Sequence, residues 1–179
     1  VKTFGCFFAT LDIRQDSSVL RETTTYLAKH YPDETRINIA DLNGSEENKQ
    51  ASLKFTEATL DCKEDAEALV QDTIGVIRHL KNIQASGSER AAQRFIISNC
   101  QQASDILALM QLFLWQGWTK EDLTIDFVPL FETVDDLSRA SDVMRTLYTN
   151  TNYASHLKKR GNKQTIMLGF SDSTKDGGY

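Results

Sequence analysis

Four short apolar segments constrain the fold of this 179-residue chain most strongly. Each is too short for a typical helix and too uniformly apolar for a strand with one face in water, so each is predicted to be a buried strand. Strands buried on both faces belong to parallel sheets covered by helices, which predicts an α/β fold with about four parallel strands. The predicted strands are residues 4–13, 94–98, 124–130 and 164–170.

Helix signals fill the segments between these strands. Asp16, Ser17 or Ser18 is expected to cap a helix that Pro32 ends, and Ser45 introduces a shorter one. A single apolar stripe at helical spacing predicts a long helix in the middle of the chain. The predicted helices are residues 16–31, 46–55, 63–84, 104–115 and 134–148, with a polar connection at 33–44 and a basic loop at 156–163.

Size, charge and cysteine usage exclude several classes of protein. The length predicts one domain over residues 1–179. A formal net charge of -5 argues against a nucleic-acid partner, and no apolar run approaches the roughly 20 residues of a membrane span. No signal-peptide pattern opens the chain. Cys6, Cys62 and Cys100 are widely spaced, which favours reduced thiols in a cytoplasmic protein over a disulfide framework or a zinc site.

The first candidate site residue is Arg14, near the end of the first predicted strand. In a parallel α/β fold the carboxyl ends of the strands gather at one edge, where ligand groups converge. The planar fork of donors on an arginine suits a phosphate or a carboxylate. The alternative is that Arg14 pairs with Asp12 or Asp16 and anchors the strand.

The second candidate is Glu132, at the exit of the third predicted strand. A carboxylate there suits Mg²⁺ or Mn²⁺, which prefer oxygen ligands. Thr133, Asp135 and Asp136 are better explained as the start of a helix, since a threonine caps and acidic residues favour the positive end of the helix dipole. Glu132 lies before the cap and is not explained by it.

The third candidate segment is residues 169–178, a run of small, polar and glycine residues after the fourth predicted strand. Backbone N–H groups in such a run can approach an anion. Asp172 can supply a second carboxylate for a metal, and Lys175 a charge for an anionic substrate. The alternative is an ordinary strand-to-helix turn capped by Ser171 or Ser173.

Other chemically active side chains are predicted to be structural or solvated. His30, His79 and His156 lack ligand spacing and are expected on the surface. Trp115 and Trp118 are expected to pack, and Cys100 is expected to be a buried thiol.

Taken together, these clusters resemble phosphoenolpyruvate carboxylase. The matching motifs follow the order of the family and span nearly the whole chain. They are Leu-Asp-Ile-Arg-Gln at 11–15, Phe-Ile-Ile-Ser at 95–98 with Ala-Ser-Asp-Ile-Leu-Ala at 103–108, Val-Pro-Leu-Phe-Glu-Thr-Val-Asp-Asp-Leu at 128–137, and Leu-Gly-Phe-Ser-Asp-Ser-Thr-Lys-Asp-Gly-Gly at 168–178.

The resemblance implies a partial (β/α)₈ TIM-type barrel and a lyase of carbon dioxide fixation. Family members add bicarbonate to phosphoenolpyruvate with Mg²⁺ or Mn²⁺, giving oxaloacetate and phosphate. Glu132 and Asp172 are similar to the two metal-binding carboxylates of the family. Arg14 resembles an arginine on the phosphate side of the site, and Lys175 resembles the lysine associated with bicarbonate.

The chain also departs from the family pattern. Family members are several times longer, form homo-oligomers such as tetramers, and carry a histidine and arginines on glycine-rich loops expected beyond Tyr179, with another histidine expected before Val1. We therefore expect a fragment of the barrel that is inactive alone and whose open sheet edges favour self-association. The alternative is a shortened, non-catalytic relative that binds anions or a protein partner.

Overall fold

A computed structural model describes residues 10–63 and 66–178, apart from the side chain of Ser173. Within these residues, four parallel strands form one sheet in the order β1-β2-β3-β4. The strands are β1 Asp12–Asp16, β2 Arg94–Ser98, β3 Asp126–Phe131 and β4 Met167–Leu168. The predicted α/β class with a parallel sheet is confirmed, and the sheet does not close on itself.

Helices connect the strands and cover the sheet. Asp16 caps the first helix by accepting a hydrogen bond from the Ser18 backbone N–H at 2.8 Å, as predicted. The described helices are α1 Ser17–His30, α2 Pro32–Thr35, α3 Ile39–Leu42, α4 Glu46–Ser52, α5 Ala68–Ser86, α6 Ala103–Leu114, α7 Val134–Thr149, α8 Thr151–Lys159 and α9 Phe170–Gly177, with a 3₁₀ turn at Glu89–Ala91.

Two predicted strands differ from those observed. The first was placed at residues 4–13, of which 4–9 lie outside the described residues; strand β1 continues to Asp16. The predicted fourth strand at 164–170 is reduced to β4, whose two residues pair with Leu130 and Phe131 of β3. Residues 169–178, predicted as an anion-binding turn or a serine-capped start of a helix, are mostly helix α9, with Gly169 at its N-cap and no side-chain cap.

Two predicted loops are wrong. The polar connection at 33–44 contains the single-turn helices α2 and α3. The basic loop at 156–163 begins inside helix α8. Helix α8 forms because the Asn150 side chain caps the backbone N–H groups of Asn152 and Tyr153, while Tyr153 and His156 are buried. The prediction of a surface His156 is therefore wrong as well.

The two faces of the sheet have different surroundings. Phe95, Ile97 and Phe127 belong to the main core, which the helices complete. The opposite face carries a small separate cluster of Ile96, Val128 and Leu130. Trp115 and Trp118 are buried in the main core, as predicted. Among the described residues, no helix combines the length and the apolar character needed to cross a membrane.

Candidate functional site

The side chains of the sheet alternate between these two faces. Arg14 pairs in register with Ile96, which pairs with Val128, so the three lie at one level of the sheet. Side chains two residues apart on a strand share a face. Val128, Leu130 and Glu132 therefore share the face opposite the main core. Because Arg14 lies level with Val128, Arg14 and Glu132 lie on the same side of the sheet.

Arg14 and Glu132 form an ion pair across the sheet. The Arg14 Nη2 atom donates to Glu132 Oε1 at 2.6 Å, with the side chains 51% and 23% exposed. The alternative in which Arg14 pairs with Asp12 or Asp16 is wrong, because both carboxylates have other partners. Asp12 Oδ1 lies 3.7 Å from Arg94 Nη1, and the Asp16 side chain caps helix α1. Arg14 lies within β1, and its partner is the residue directly after β3.

The backbone around Glu132 is held by the start of helix α7. Thr133 and Asp136 form a capping box in which each side chain accepts a hydrogen bond from the backbone N–H of the other. Asp136 also accepts from the Glu132 N–H at 3.3 Å. Burial alone would raise the pKa of Asp136, but the hydrogen bonds from the Thr133 and Glu132 N–H groups and from the Thr133 hydroxyl, with the nearby Arg139, lower it. The predicted capping role of Thr133 is confirmed, and Asp136, predicted only to favour the helix dipole, completes the capping box.

Helix α9 brings Asp172 and Lys175 to the same end of the sheet as Glu132. The Gly169 N–H donates to the Phe131 carbonyl at 2.9 Å, so α9 starts beside the end of β3. The Asp172 carboxylate lies 3.8 Å from the ammonium group of Lys175, and both side chains are mostly exposed. Glu132, Asp172 and Lys175 thus lie in segments directly after β3 and β4, and Arg14 lies in the middle of β1.

Two contacts that sequence reasoning missed fix α9 against this edge. The Asp176 carboxylate accepts a hydrogen bond from the Val134 N–H at 2.8 Å, which joins α9 to the first turn of α7. A Cβ atom on Gly169 would lie 2.8 Å from Glu132 Cγ, so a residue without a side chain is needed there. Asp176 and Val134 are 42 residues apart, and no local sequence signal marks this pair.

The donor chemistry of this edge fits a divalent cation only in part. Mg²⁺ is commonly held by one or two carboxylates together with water and substrate oxygens. Glu132 and Asp172 supply two such carboxylates, and the cationic Arg14 group already binds one of them. In the described part of the chain, no group of three or more His, Cys, Asp or Glu side chains converges to hold a metal ion. Water or substrate oxygens would have to complete any coordination sphere.

Two other groups have clear structural roles. Cys100 is buried, as predicted, and burial raises the pKa of its thiol. His156 is buried, and its Nε2 lies 2.9 Å from the Ile125 carbonyl oxygen.

Comparison with known proteins identifies the family of the chain. The family model described as phosphoenolpyruvate carboxylase matches residues 1–179, the whole chain. The chain belongs to the phosphoenolpyruvate carboxylase family. The resemblance seen in the four motifs is thereby confirmed.

Curated relatives carry the same name. The chain is 32% identical to a phosphoenolpyruvate carboxylase of Nitrosomonas eutropha over 190 aligned residues. It is 34% identical to those of Prochlorococcus marinus subsp. pastoris and Corynebacterium diphtheriae, over 194 and 188 residues. In each case the alignment covers 100% of this chain and 19–20% of the relative. The chain therefore spans about one fifth of the length of these phosphoenolpyruvate carboxylases.

Proposed function

We propose that this chain is part of an enzyme that adds bicarbonate to phosphoenolpyruvate, giving oxaloacetate and inorganic phosphate. Membership of the family supports the reaction, and the arrangement of Arg14, Glu132, Asp172 and Lys175 supports the assignment of the site. The observation that carries the proposal is that Glu132 directly follows β3, on the face of the sheet that carries Arg14, and that helix α9 with Asp172 and Lys175 starts beside the same end of β3. This is the edge where α/β barrels place their chemistry.

Glu132 and Asp172 would hold Mg²⁺ or Mn²⁺. When bound, the ion would neutralise negative charge on the phosphate and on the enolate oxygen of the substrate. Asp136 orients Glu132, because it binds the backbone N–H of that residue. Gly169 leaves the space that the Glu132 side chain occupies.

Arg14 and Lys175 would hold the two anionic substrates together. Phosphoenolpyruvate and bicarbonate repel each other, so bringing them into contact requires fixed positive charge. The guanidinium group of Arg14 offers a planar fork of donors that suits the phosphate group. Lys175 offers a point charge for bicarbonate, and its side chain is 79% exposed and accessible.

We expect the isolated chain not to catalyse this reaction. It spans about one fifth of its relatives, and the resemblance assigns further catalytic groups to other segments. The parent protein is proposed to be a homo-oligomer. A phosphate-release assay with phosphoenolpyruvate, bicarbonate and Mg²⁺ checks the first expectation, and measurable turnover by the chain alone would contradict it.

A binding titration tests the assignment of the metal ligands. Mn²⁺ binding to the 179-residue chain is followed by the electron paramagnetic resonance signal of the free ion. We expect Glu132→Gln and Asp172→Asn each to weaken binding at a single site by at least roughly tenfold, since each removes one of two charged ligands. Asp142→Asn is the matched control, because Asp142 is an exposed carboxylate on α7. Equal Mn²⁺ affinity in the wild type and in both ligand variants would refute the assignment.

A further inference from the structure

The proposed anion-binding arginine and the proposed metal ligand are bonded to each other. Arg14 Nη2 lies 2.6 Å from Glu132 Oε1, which is the distance of a short charge-assisted hydrogen bond. The positive guanidinium group and a divalent cation at the same carboxylate repel each other. Arg14 therefore opposes metal binding by Glu132 for as long as it stays beside this carboxylate.

Lys175 and Asp172 also form an ion pair, at the longer distance of 3.8 Å between their charged groups. Each proposed metal ligand thus has one of the proposed substrate-binding cations beside it. The formal charges of the four side chains sum to zero. A bound divalent ion would bring the total to two positive charges, so the site would attract anions strongly only after the metal is bound.

Resting on the proposed function, we propose that Arg14 is an internal counter-cation that exchanges with the metal at Glu132. In the metal-free chain Arg14 neutralises Glu132. When a divalent cation binds Glu132, the guanidinium group is released toward an anionic substrate. An anion that engages Arg14 conversely draws this cation away from Glu132 and favours metal binding, since coupling between two binding sites is reciprocal.

The Arg14–Glu132 pair is partly exposed, so the exchange is energetically accessible. Exposed ion pairs contribute little to stability, and the competition from Arg14 is expected to weaken metal binding by no more than roughly fivefold. The Arg14 side chain is about half exposed, which leaves room for it to rotate toward solvent. Arg14 is thus a positioning residue for the metal and a binding residue for the anion.

The decisive experiment measures Mn²⁺ affinity by calorimetry without any added anion. We expect Arg14→Gln to bind Mn²⁺ roughly two- to fivefold more tightly than the wild type, because the competing cation is gone. Arg14→Lys keeps the charge and is expected to stay near the wild-type affinity. The matched control is Arg145→Gln, which removes an exposed arginine paired with Asp142 on α7.

A second arm adds inorganic phosphate. In the wild type we expect phosphate to tighten Mn²⁺ binding, and Arg14→Gln to lose most of that response. Unchanged or weaker Mn²⁺ binding by Arg14→Gln without phosphate would overturn the proposal, and so would an equal gain in the Arg145→Gln control.

The outcome is separable from that of the proposed function. Adding Glu132→Gln to the Arg14→Gln variant should abolish the gained affinity. If wild-type Mn²⁺ binding depends on Glu132 but Arg14→Gln has no effect, the exchange fails and the metal site stands. If Mn²⁺ binding is independent of Glu132 in both backgrounds, the metal-site assignment fails and the exchange fails with it. Circular dichroism confirms that each variant is folded.

Discussion

Protonation of the buried His156 is expected to destabilise the fold in mild acid. The His156 side chain is 4% exposed, and its Nδ1 atom is buried with no hydrogen-bond partner in the described part of the chain. Burial lowers its pKa from 6.5 to about 4; the hydrogen bond to Ile125 and the charge of Asp126 oppose this shift, while Arg160 and Lys159 add to it. The imidazole is therefore neutral in the folded chain at pH 7.

The direction of the pH dependence follows from this lowered pKa. As the pH falls below about 6.5, the unfolded chain takes up a proton on His156 before the folded chain does, so acid favours unfolding. The contribution of the uncharged His156 to the free energy of unfolding is fully present above pH 6.5 and is lost progressively down to about pH 4. A shift of this size corresponds to about 3 kcal/mol of unfolding free energy.

Urea denaturation between pH 7.5 and pH 4 measures this effect, because this range includes the pKa of His156 in the unfolded chain, 6.5, and in the folded chain, about 4. His156→Gln cannot titrate, so it should lose about 3 kcal/mol less stability than the wild type over that interval, whatever its stability at pH 7. The exposed His79 is the control, and His79→Gln should keep the wild-type pH dependence. Equal losses of unfolding free energy in the wild type and in His156→Gln would contradict the role of His156.

Two further predictions concern the backbone around Glu132. Asp136→Ala should cost about 2 kcal/mol of unfolding free energy in urea denaturation, since it leaves two backbone N–H groups without their charged acceptor. Asp135→Ala, at an exposed position of the same turn, should cost less than about 1 kcal/mol, and equal costs would contradict the capping role of Asp136. Gly169→Ala should cost about 1–3 kcal/mol and weaken Mn²⁺ binding, because its Cβ would press on Glu132. Gly75→Ala, with nothing within 4 Å of its Cβ, should be neutral or stabilising, and a similar loss there would point to a nonspecific effect.

Local signals in the sequence predicted the parts of the fold that depend on neighbouring residues. The strand Arg94–Ser98 carries the apolar run Phe95-Ile96-Ile97, which is buried in the sheet, and it forms where predicted. The start of helix α7 depends on Thr133 and Asp136, three residues apart. In both cases the physical cause lies within a few residues of the element that it determines.

The errors came from positions where tertiary packing outweighs local chemistry. The basic residues Lys158 and Lys159 favoured a solvated loop, yet the burial of Tyr153 and His156 against the core fixes helix α8. Sequence spacing offered Asp12 or Asp16 as one alternative for Arg14, whereas its partner Glu132 is 118 residues away. Such pairs follow from the strand order and the shared face of the sheet, which the sequence alone does not show.

We infer that Glu132 and Asp172 belong to one divalent metal site at the carboxyl edge of the sheet. Anomalous diffraction from crystals of the chain grown with Mn²⁺ tests this inference. We expect a single strong peak within bonding distance of carboxylate oxygens from both side chains, with Arg14 turned away from Glu132. A Mn²⁺ peak elsewhere, with the Arg14–Glu132 ion pair intact, would contradict it.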